Sequence, residues 1–74
     1  MWYGLGHDFI NLGKIVAVRR TEEPLDDMRY CMHVFLHTVD INRFTLRFST
    51  EEMRDAAVDK LLAAAETYVE LQRL

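Results

Sequence analysis

A strict alternation of side chains near the middle of the chain constrains the fold more than any other feature. Over residues 29–38 one face of an extended chain would carry Tyr30, Met32, Val34 and Leu36, and the other Cys31, His33, Phe35 and His37. Successive side chains of a β-strand point to opposite faces, so this period of two predicts a strand with one buried face. Phe44, Leu46 and Phe48 repeat the pattern and predict a second strand over residues 43–49.

These two strands are predicted to form an antiparallel hairpin joined by a short loop over residues 39–41. Because the apolar faces must match, the pattern also predicts a register. The expected apolar pairs are Leu36 with Phe44, Val34 with Leu46, and Met32 with Phe48. The same register places His37 opposite Arg43 and His33 opposite Arg47.

One further strand is predicted before this hairpin. Residues 9–20 are rich in β-branched and apolar side chains, with Gly13 as a bulge or bend. Residues 21–28 hold the only proline among four acidic residues and are predicted to be a solvated loop. Residues 1–8 contain two glycines and are expected to form an irregular arm that presents Trp2 and Tyr3.

The C-terminal third predicts one long helix. Residues 50–73 contain neither Gly nor Pro and are rich in alanine, which favours a helix. Ser49 and Glu52 fit a capping box, in which Ser49 accepts from the backbone N–H of Glu52 and the Glu52 side chain reaches back. The expected fold is therefore a single α+β domain over residues 1–74, with a three-stranded antiparallel sheet over residues 9–49 followed by the helix in a β-β-β-α order.

Two apolar stripes along this helix predict a homo-oligomer. At helical spacing the first stripe contains Met53, Ala57, Leu61, Ala64, Tyr68 and Leu71, and the second Val58, Leu62, Ala65 and Val69. One sheet face covers only one stripe, and the other sheet face, with Val16, Val18 and Phe35, also needs cover. The candidate interface residues are Trp2, Tyr3, Val58, Leu62, Ala65 and Val69. The alternative is that the small residues of the second stripe tolerate exposure.

The composition fits a small chain that gains stability from partners. A domain of 74 residues buries only about 60% of the surface of its unfolded chain, yet half of these residues are apolar. With a single cysteine and no cluster of metal ligands, neither a disulfide, a structural metal nor a cofactor is expected. No segment has the length of a membrane span or the pattern of a signal peptide, which predicts a cytoplasmic protein without membrane contact.

A local cationic face is the best candidate for ligand binding. The net charge of −3 argues against binding DNA through overall charge, but it leaves a local basic patch possible. Guanidinium and imidazole donors around an aromatic ring can hold a phosphate and stack a base. The candidate residues are His33, Phe35, His37, Arg43, Thr45 and Arg47. The alternative is a solvated face in which the arginines pair with acidic residues.

No catalytic site or metal site is expected from the pattern. His33 and His37 would lie roughly 13 Å apart on a strand, which is too far for one ion. Cys31 has no base placed beside it, because side chains two apart on a strand are separated by about 6 to 7 Å. Acidic pairs such as Asp26 and Asp27 fall in the predicted loop. The chain is therefore expected not to be an enzyme.

The order of elements resembles that of short, mostly uncharacterised orphan proteins of bacteria and phages. The resemblance lies in residues 9–12, 16–18 and 44–52 and in the alanine-rich helix, and it spans about residues 9 to 70. It transfers no functional residue. It implies a small accessory factor or a phage inhibitor of host defence, located in the host cytoplasm, that docks on a host protein or sequesters a nucleotide.

Two functional hypotheses follow. The first is a non-enzymatic, homo-oligomeric protein-interaction module that regulates or inhibits a partner by binding it. The second is an oligomeric binder of an anionic nucleotide or of single-stranded nucleic acid.

Overall fold

The computed structural model describes residues 1–24, 27–40 and 42–72 and gives an α+β fold. Its elements are β1 (Trp2–Leu5), β2 (Asp8–Asn11), a 3-10 turn (Leu12–Lys14), β3 (Ile15–Glu22), β4 (Tyr30–Leu36), β5 (Arg43–Phe48) and α1 (Glu51–Gln72). The predicted antiparallel sheet of three strands followed by a long C-terminal helix is confirmed. Asp26 and Ile41, predicted as loop residues, and Arg73, predicted as the helix end, lie outside the described residues.

The main sheet has the strand order β3-β4-β5, and both pairs are antiparallel. Val34 pairs with Phe44, and Phe35 pairs with Arg43. The predicted hairpin register is therefore wrong by two residues, although the side chains within β4 and β5 keep their predicted faces because a shift of two preserves the alternation. The difference arises at the loop: β4 ends at Leu36, whose N–H donates to the Asn42 carbonyl at 2.9 Å.

The prediction of an irregular N-terminal arm is wrong, because these residues form the hairpin β1–β2. Its two-residue turn, Gly6–His7, has a positive φ of 63° at Gly6. This is the pattern of a type II′ turn, in which a glycine at the first central position avoids a clash with a Cβ. Tyr3 and Leu5 face the core, whereas Trp2 and Phe9 are exposed.

The 3-10 turn connects this hairpin to the main sheet. Gly13, predicted as a bend, lies at its centre, and its N–H donates to the Asn11 side chain at 3.0 Å. The strand β3 then begins at Ile15, with an irregular register between Ile15 and Ala17. It continues through Thr21 and Glu22, which had been predicted as loop residues.

The helix is capped by Thr50, which corrects the prediction that Ser49 is the cap. The N–H of Met53 donates to the Thr50 hydroxyl at 3.2 Å, three residues from the cap as in other N-caps. Ser49 Oγ instead contacts the sulfur of Met53 at 3.7 Å. Over the described residues no helix is long and apolar enough to cross a membrane.

The core lies between the main sheet and a layer made of α1, the 3-10 turn and the β1–β2 hairpin. Its buried apolar residues are Leu5, Ile10, Leu12, Met32, Val34, Leu36, Val58 and Leu61. Val18, Tyr3 and Ala65 pack against this cluster, so these three and Val58 face the core of their own chain. The prediction that Val18 lies on the uncovered sheet face is therefore wrong. The predicted interface role of Tyr3, Val58 and Ala65 stays a prediction. The helix α1 covers the sheet with a face centred between the two stripes. Leu62 and Val69 remain exposed.

Candidate functional site

The face of the main sheet opposite the helix is called the open face. It carries Ala17, Arg19 and Thr21 from β3, Cys31, His33 and Phe35 from β4, and Arg43, Thr45 and Arg47 from β5. Five of the six predicted ligand residues therefore share one face, as the alternation indicated. The sixth, His37, was predicted on this face, but it lies beyond the end of β4 and lines the cleft described below.

One end of the open face is a closed polar cluster built around His33. The imidazole is held at both nitrogens: Nδ1 hydrogen-bonds to Thr45 Oγ1 at 2.9 Å, and Nε2 hydrogen-bonds to Thr21 Oγ1 at 2.9 Å. Nε2 also lies 3.1 Å from Glu23 Oε2. These contacts fix the ring in one orientation.

Glu23 links the cluster to Cys31 and Arg47. Arg47 Nη2 donates to Glu23 Oε1 at 3.4 Å, and Arg47 Nη1 donates to the Met28 carbonyl at 3.5 Å. The Cys31 thiol, then the Thr21 hydroxyl, His33 and the Arg47 charge, hold the pKa of Glu23 below its usual value despite the opposing effect of burial. Arg47 is therefore already engaged inside the protein.

Cys31 is sealed beneath this cluster, with an exposed fraction of 0%. Burial and the neighbouring Glu23 carboxylate raise the pKa of its thiol. A nucleophilic cysteine needs the opposite, a lowered pKa and access for the substrate. The expectation that no base lies beside Cys31 is nevertheless wrong, because its sulfur lies within 4.8 Å of a ring nitrogen of His33 and an oxygen of Glu23.

The other end of the open face is cationic and centred on Phe35. The Arg19 guanidinium lies over the Phe35 ring at 5.4 Å from its centroid. Arg43 lies opposite Phe35 on the neighbouring strand β5, and its side chain is exposed. Within residues 1–24, 27–40 and 42–72 neither arginine forms an ion pair. This end therefore offers two uncompensated cations beside an aromatic ring.

A cleft of about 750 Å³ opens between the N-terminal hairpin and the β4–β5 loop. Its apolar lining consists of Trp2, Phe9, Ile10, Leu36, Val39 and Phe44, and its polar lining of Asn11, Lys14, His37, Thr38 and Asp40. Trp2 and Phe9 are each 69% exposed, and Val39 is fully exposed. Three large apolar side chains of the cleft lining are therefore in contact with solvent.

The rim of the cleft carries one charge of each sign, Lys14 and Asp40. Both side chains are exposed, and neither forms an ion pair in the part of the chain that the structure describes. The backbone is fixed at this point, because the His37 N–H donates to the Lys14 carbonyl at 2.8 Å.

No family model, curated protein or solved structure matches this chain.

Sequence reasoning missed several residues of these surfaces. Glu23 reaches the His33 cluster only because β3 extends two residues further than predicted. Phe9 joins Trp2 at the cleft because the predicted arm and the start of the predicted first strand form one hairpin. The signal was present in Gly6, which lies between Leu5 and Asp8 at the spacing of a two-residue turn.

Proposed function

We propose that this chain is a non-enzymatic binding protein that works as a homodimer, assembled through the cleft at its N-terminal hairpin. Each copy inserts Trp2 into the cleft of the other copy. The exposed aromatic rim of the cleft carries this proposal, and the following observations support it.

The balance of apolar surface favours self-association. Across the described ranges the exposed large apolar side chains are Met1, Trp2, Phe9, Val16, Met28, Val39, Met53, Leu62, Val69 and Leu71, which outnumber the buried core residues. A domain of this size has a marginal core and commonly gains stability by oligomerisation. Burying Trp2 and Phe9 against a second copy removes the largest exposed rings from water.

The charges on the rim favour a second copy of this chain as the occupant. In a two-fold dimer the same surface of each copy meets itself, so a residue that contacts a second residue is contacted by that residue in return. Lys14 of one copy would face Asp40 of the other, and Asp40 would face Lys14. An apolar cleft whose rim carries a cation and an anion, each without an ion pair among the described residues, is therefore complementary to itself.

The chemistry of the open face supports binding rather than catalysis. Cys31 carries the thiol that lies beside a base, His33. Its burial and the raised pKa of its thiol oppose attack on a substrate.

Sedimentation velocity and Trp2 fluorescence test the dimer. Trp2 is the only tryptophan, so its emission reports directly on the cleft. We expect the wild type to sediment as a dimer, and its emission to shift to longer wavelength on dilution as Trp2 becomes exposed to water. Trp2→Ala should yield a folded monomer, because Trp2 contributes to the core only marginally.

Charge reversal at the rim tests the two-fold arrangement. Lys14→Asp and Asp40→Lys should each weaken the dimer, because each places like charges across the interface. An equimolar mixture of the two variants should form a heterodimer, since both cross-contacts are then attractive. Lys60→Asp, on the exposed side of the helix, is the matched control and should leave the dimer unchanged.

Leu62→Glu distinguishes association through the cleft from association through the exposed edge of the helix. Leu62 is 49% exposed on α1 and lies outside the cleft, so this variant should remain a dimer. A dimer that survives Trp2→Ala and is lost in Leu62→Glu would assign association to the helix and overturn the cleft proposal. A wild type that remains monomeric at high concentration would overturn self-association itself.

Binding of a flat anionic ligand of the nucleotide class is a second candidate function. The pair of arginines beside Phe35 supports it. One face of an aromatic ring stacks a base, and Arg19 and Arg43 supply donors for phosphate. Arg47 and His33, which the sequence had assigned to this role, are engaged with Glu23 and the two threonines.

Calorimetry with mono-, di- and cyclic nucleotides and short oligonucleotides tests this second candidate at two salt concentrations. We expect affinity to fall as salt rises and to be lost in the double variant Arg19→Ala with Arg43→Ala. Arg29→Ala is the matched control, because Arg29 is exposed and pairs with Glu22 away from Phe35. Absence of heat from the wild type across the panel would reject nucleotide binding.

A further inference from the structure

Three metal-ligating atoms converge at the closed end of the open face. One carboxylate oxygen of Glu23, the sulfur of Cys31 and one ring nitrogen of His33 all lie within 4.8 Å of one another. The oxygen and nitrogen are 3.1 Å apart. Around a tetrahedral zinc ion, with bonds of about 2.0 to 2.3 Å, neighbouring ligand atoms are about 3.3 to 3.6 Å apart. The oxygen and the nitrogen are therefore already close to the spacing around one ion, and the separations of up to 4.8 Å would shorten by about 1 Å when the ion binds.

We propose that Glu23 Oε2, Cys31 Sγ and His33 Nε2 form a zinc site, with a water molecule as the fourth ligand. A set of one sulfur, one nitrogen and one oxygen favours zinc over magnesium and calcium, which take oxygen ligands. The site lies apart from the cleft, so it does not depend on the proposed dimer.

The surroundings of the cluster already hold the ligands as a zinc site requires. A ligating histidine donates its other ring N–H to a fixed acceptor, and Thr45 Oγ1 lies 2.9 Å from Nδ1 of His33. A ligating carboxylate is steadied at its second oxygen, and Arg47 donates to Oε1 of Glu23. The other oxygen, Oε2, accepts from the Thr21 hydroxyl at 3.2 Å and would exchange this hydrogen bond for the metal. Thr21 Oγ1, 2.9 Å from His33 Nε2, lies where it can hydrogen-bond to the metal-bound water.

Charge and protons also balance. Binding replaces the Cys31 thiol proton, which passes to solvent, and His33 binds as the neutral tautomer that carries its proton on Nδ1 and leaves Nε2 free to bind the metal. The resulting thiolate and the Glu23 carboxylate carry two negative charges, which neutralise the zinc ion, and the positive charge of Arg47 remains beside the site. The metal ion would reach the site past Glu23, whose half-exposed side chain covers the buried Cys31.

Cobalt and zinc titration of the whole chain, after removal of metal with EDTA, tests the site. We expect one Co²⁺ per chain and a thiolate-to-cobalt charge-transfer band in the near ultraviolet. Zn²⁺ should displace the cobalt and abolish the band. The band requires a bond from cobalt to Cys31, because the chain has no other cysteine.

Matched variants assign the remaining ligands. His33→Gln and Glu23→Gln should each weaken Zn²⁺ binding at least tenfold, whereas His37→Gln and Glu22→Gln should leave the affinity unchanged, since both residues lie outside the cluster. Thr45→Val should weaken binding while it keeps the cobalt band, because Thr45 positions His33 without touching the metal.

Cys31→Ser should lose the charge-transfer band, because it removes the thiolate. If this variant fails to fold, the spectrum of the wild type still tests the site. A wild-type spectrum without the charge-transfer band would overturn the site. So would an affinity that falls as much in His37→Gln as in His33→Gln, which would indicate binding of metal to surface histidines.

Discussion

The hydroxyl of Tyr68 lies directly over Gly13, so that a Cβ at position 13 would come within 2.8 Å of the Tyr68 oxygen. This contact joins the C-terminal half of α1 to the 3-10 turn that carries the N-terminal hairpin. Glycine fits at position 13 because the Tyr68 side chain approaches the backbone closely. Backbone conformation is not the reason, since among the described residues only Gly6 has a positive φ.

Gly13→Ala should destabilise the protein by about 1 to 3 kcal/mol, as overpacking does elsewhere. Chemical denaturation measures this loss of unfolding free energy. Combining Gly13→Ala with Tyr68→Phe should recover part of it, because the phenol oxygen is the atom that clashes. Gly4→Ala is the control, since its Cβ would meet Phe9 at 3.4 Å, an ordinary contact. Equal losses at positions 13 and 4 would contradict this account.

Thr50→Ala should cost about 1 kcal/mol of unfolding free energy, because the N–H of Met53 loses its acceptor. Ser49→Ala should cost less, since Ser49 makes only a contact with sulfur. Thermal unfolding of the two variants side by side compares them. If Ser49→Ala proved the more damaging change, the helix would begin one residue earlier in solution.

Arg54 is a buried cation in the interface between α1 and the sheet, and its loss should be costly. Its Nη1 donates to the Thr21 carbonyl at 3.2 Å, and its guanidinium lies 5.6 Å from the Tyr30 ring centroid. Arg54→Met should cost about 1 to 3 kcal/mol, because that carbonyl loses its partner. Arg20→Met is the matched control: its exposed pair with Asp55 is worth at most about 1 kcal/mol. Urea denaturation that ranks Arg20→Met as the worse change would contradict this assignment.

The strands of the main sheet and the helix were predictable because their signals are periodic and local. The alternation through Val34 and Phe35 assigned each side chain to its face, and the long stretch without Gly or Pro assigned the helix. The register was not predictable from that alternation, because a shift of two leaves both faces unchanged. It depended on the length of the β4–β5 loop, which carries no comparable signal.

The candidate sites were predictable only in part, for a related reason. The alternation predicted which residues share the open face. Which of its cations can bind a ligand depends on ion pairs with residues that are distant in the sequence. Glu23 engages Arg47 and His33, whereas Arg43 and Arg19 have no such partner among the residues described. Pairings of this kind depend on the ends of strands, where local sequence is least informative.

The Glu23 cluster should make stability depend on pH in metal-free, EDTA-treated protein. The pKa of Glu23 is lowered in the folded state, so its contribution is fully present above its ordinary pKa of 4.5 and is lost as pH falls through the folded value. Glu23→Gln should therefore show a smaller loss of urea midpoint between about pH 6 and about pH 3 than the wild type. Glu22→Gln, which alters an exposed pair with Arg29, is the control and should follow the wild type. Parallel curves for the wild type and Glu23→Gln would remove Glu23 as the source.

The irregular register at the start of β3 has a consequence for how copies of this chain can aggregate. In the order β3-β4-β5 the two outer strands leave backbone donors and acceptors without a strand partner in the described part of the chain. Such edges template fibrils unless they are interrupted or charged. The break between Ile15 and Ala17 interrupts one edge, and Arg43 and Arg47 line the other. Strand-by-strand polymerisation is thereby disfavoured even at high expression, although many apolar side chains lie exposed.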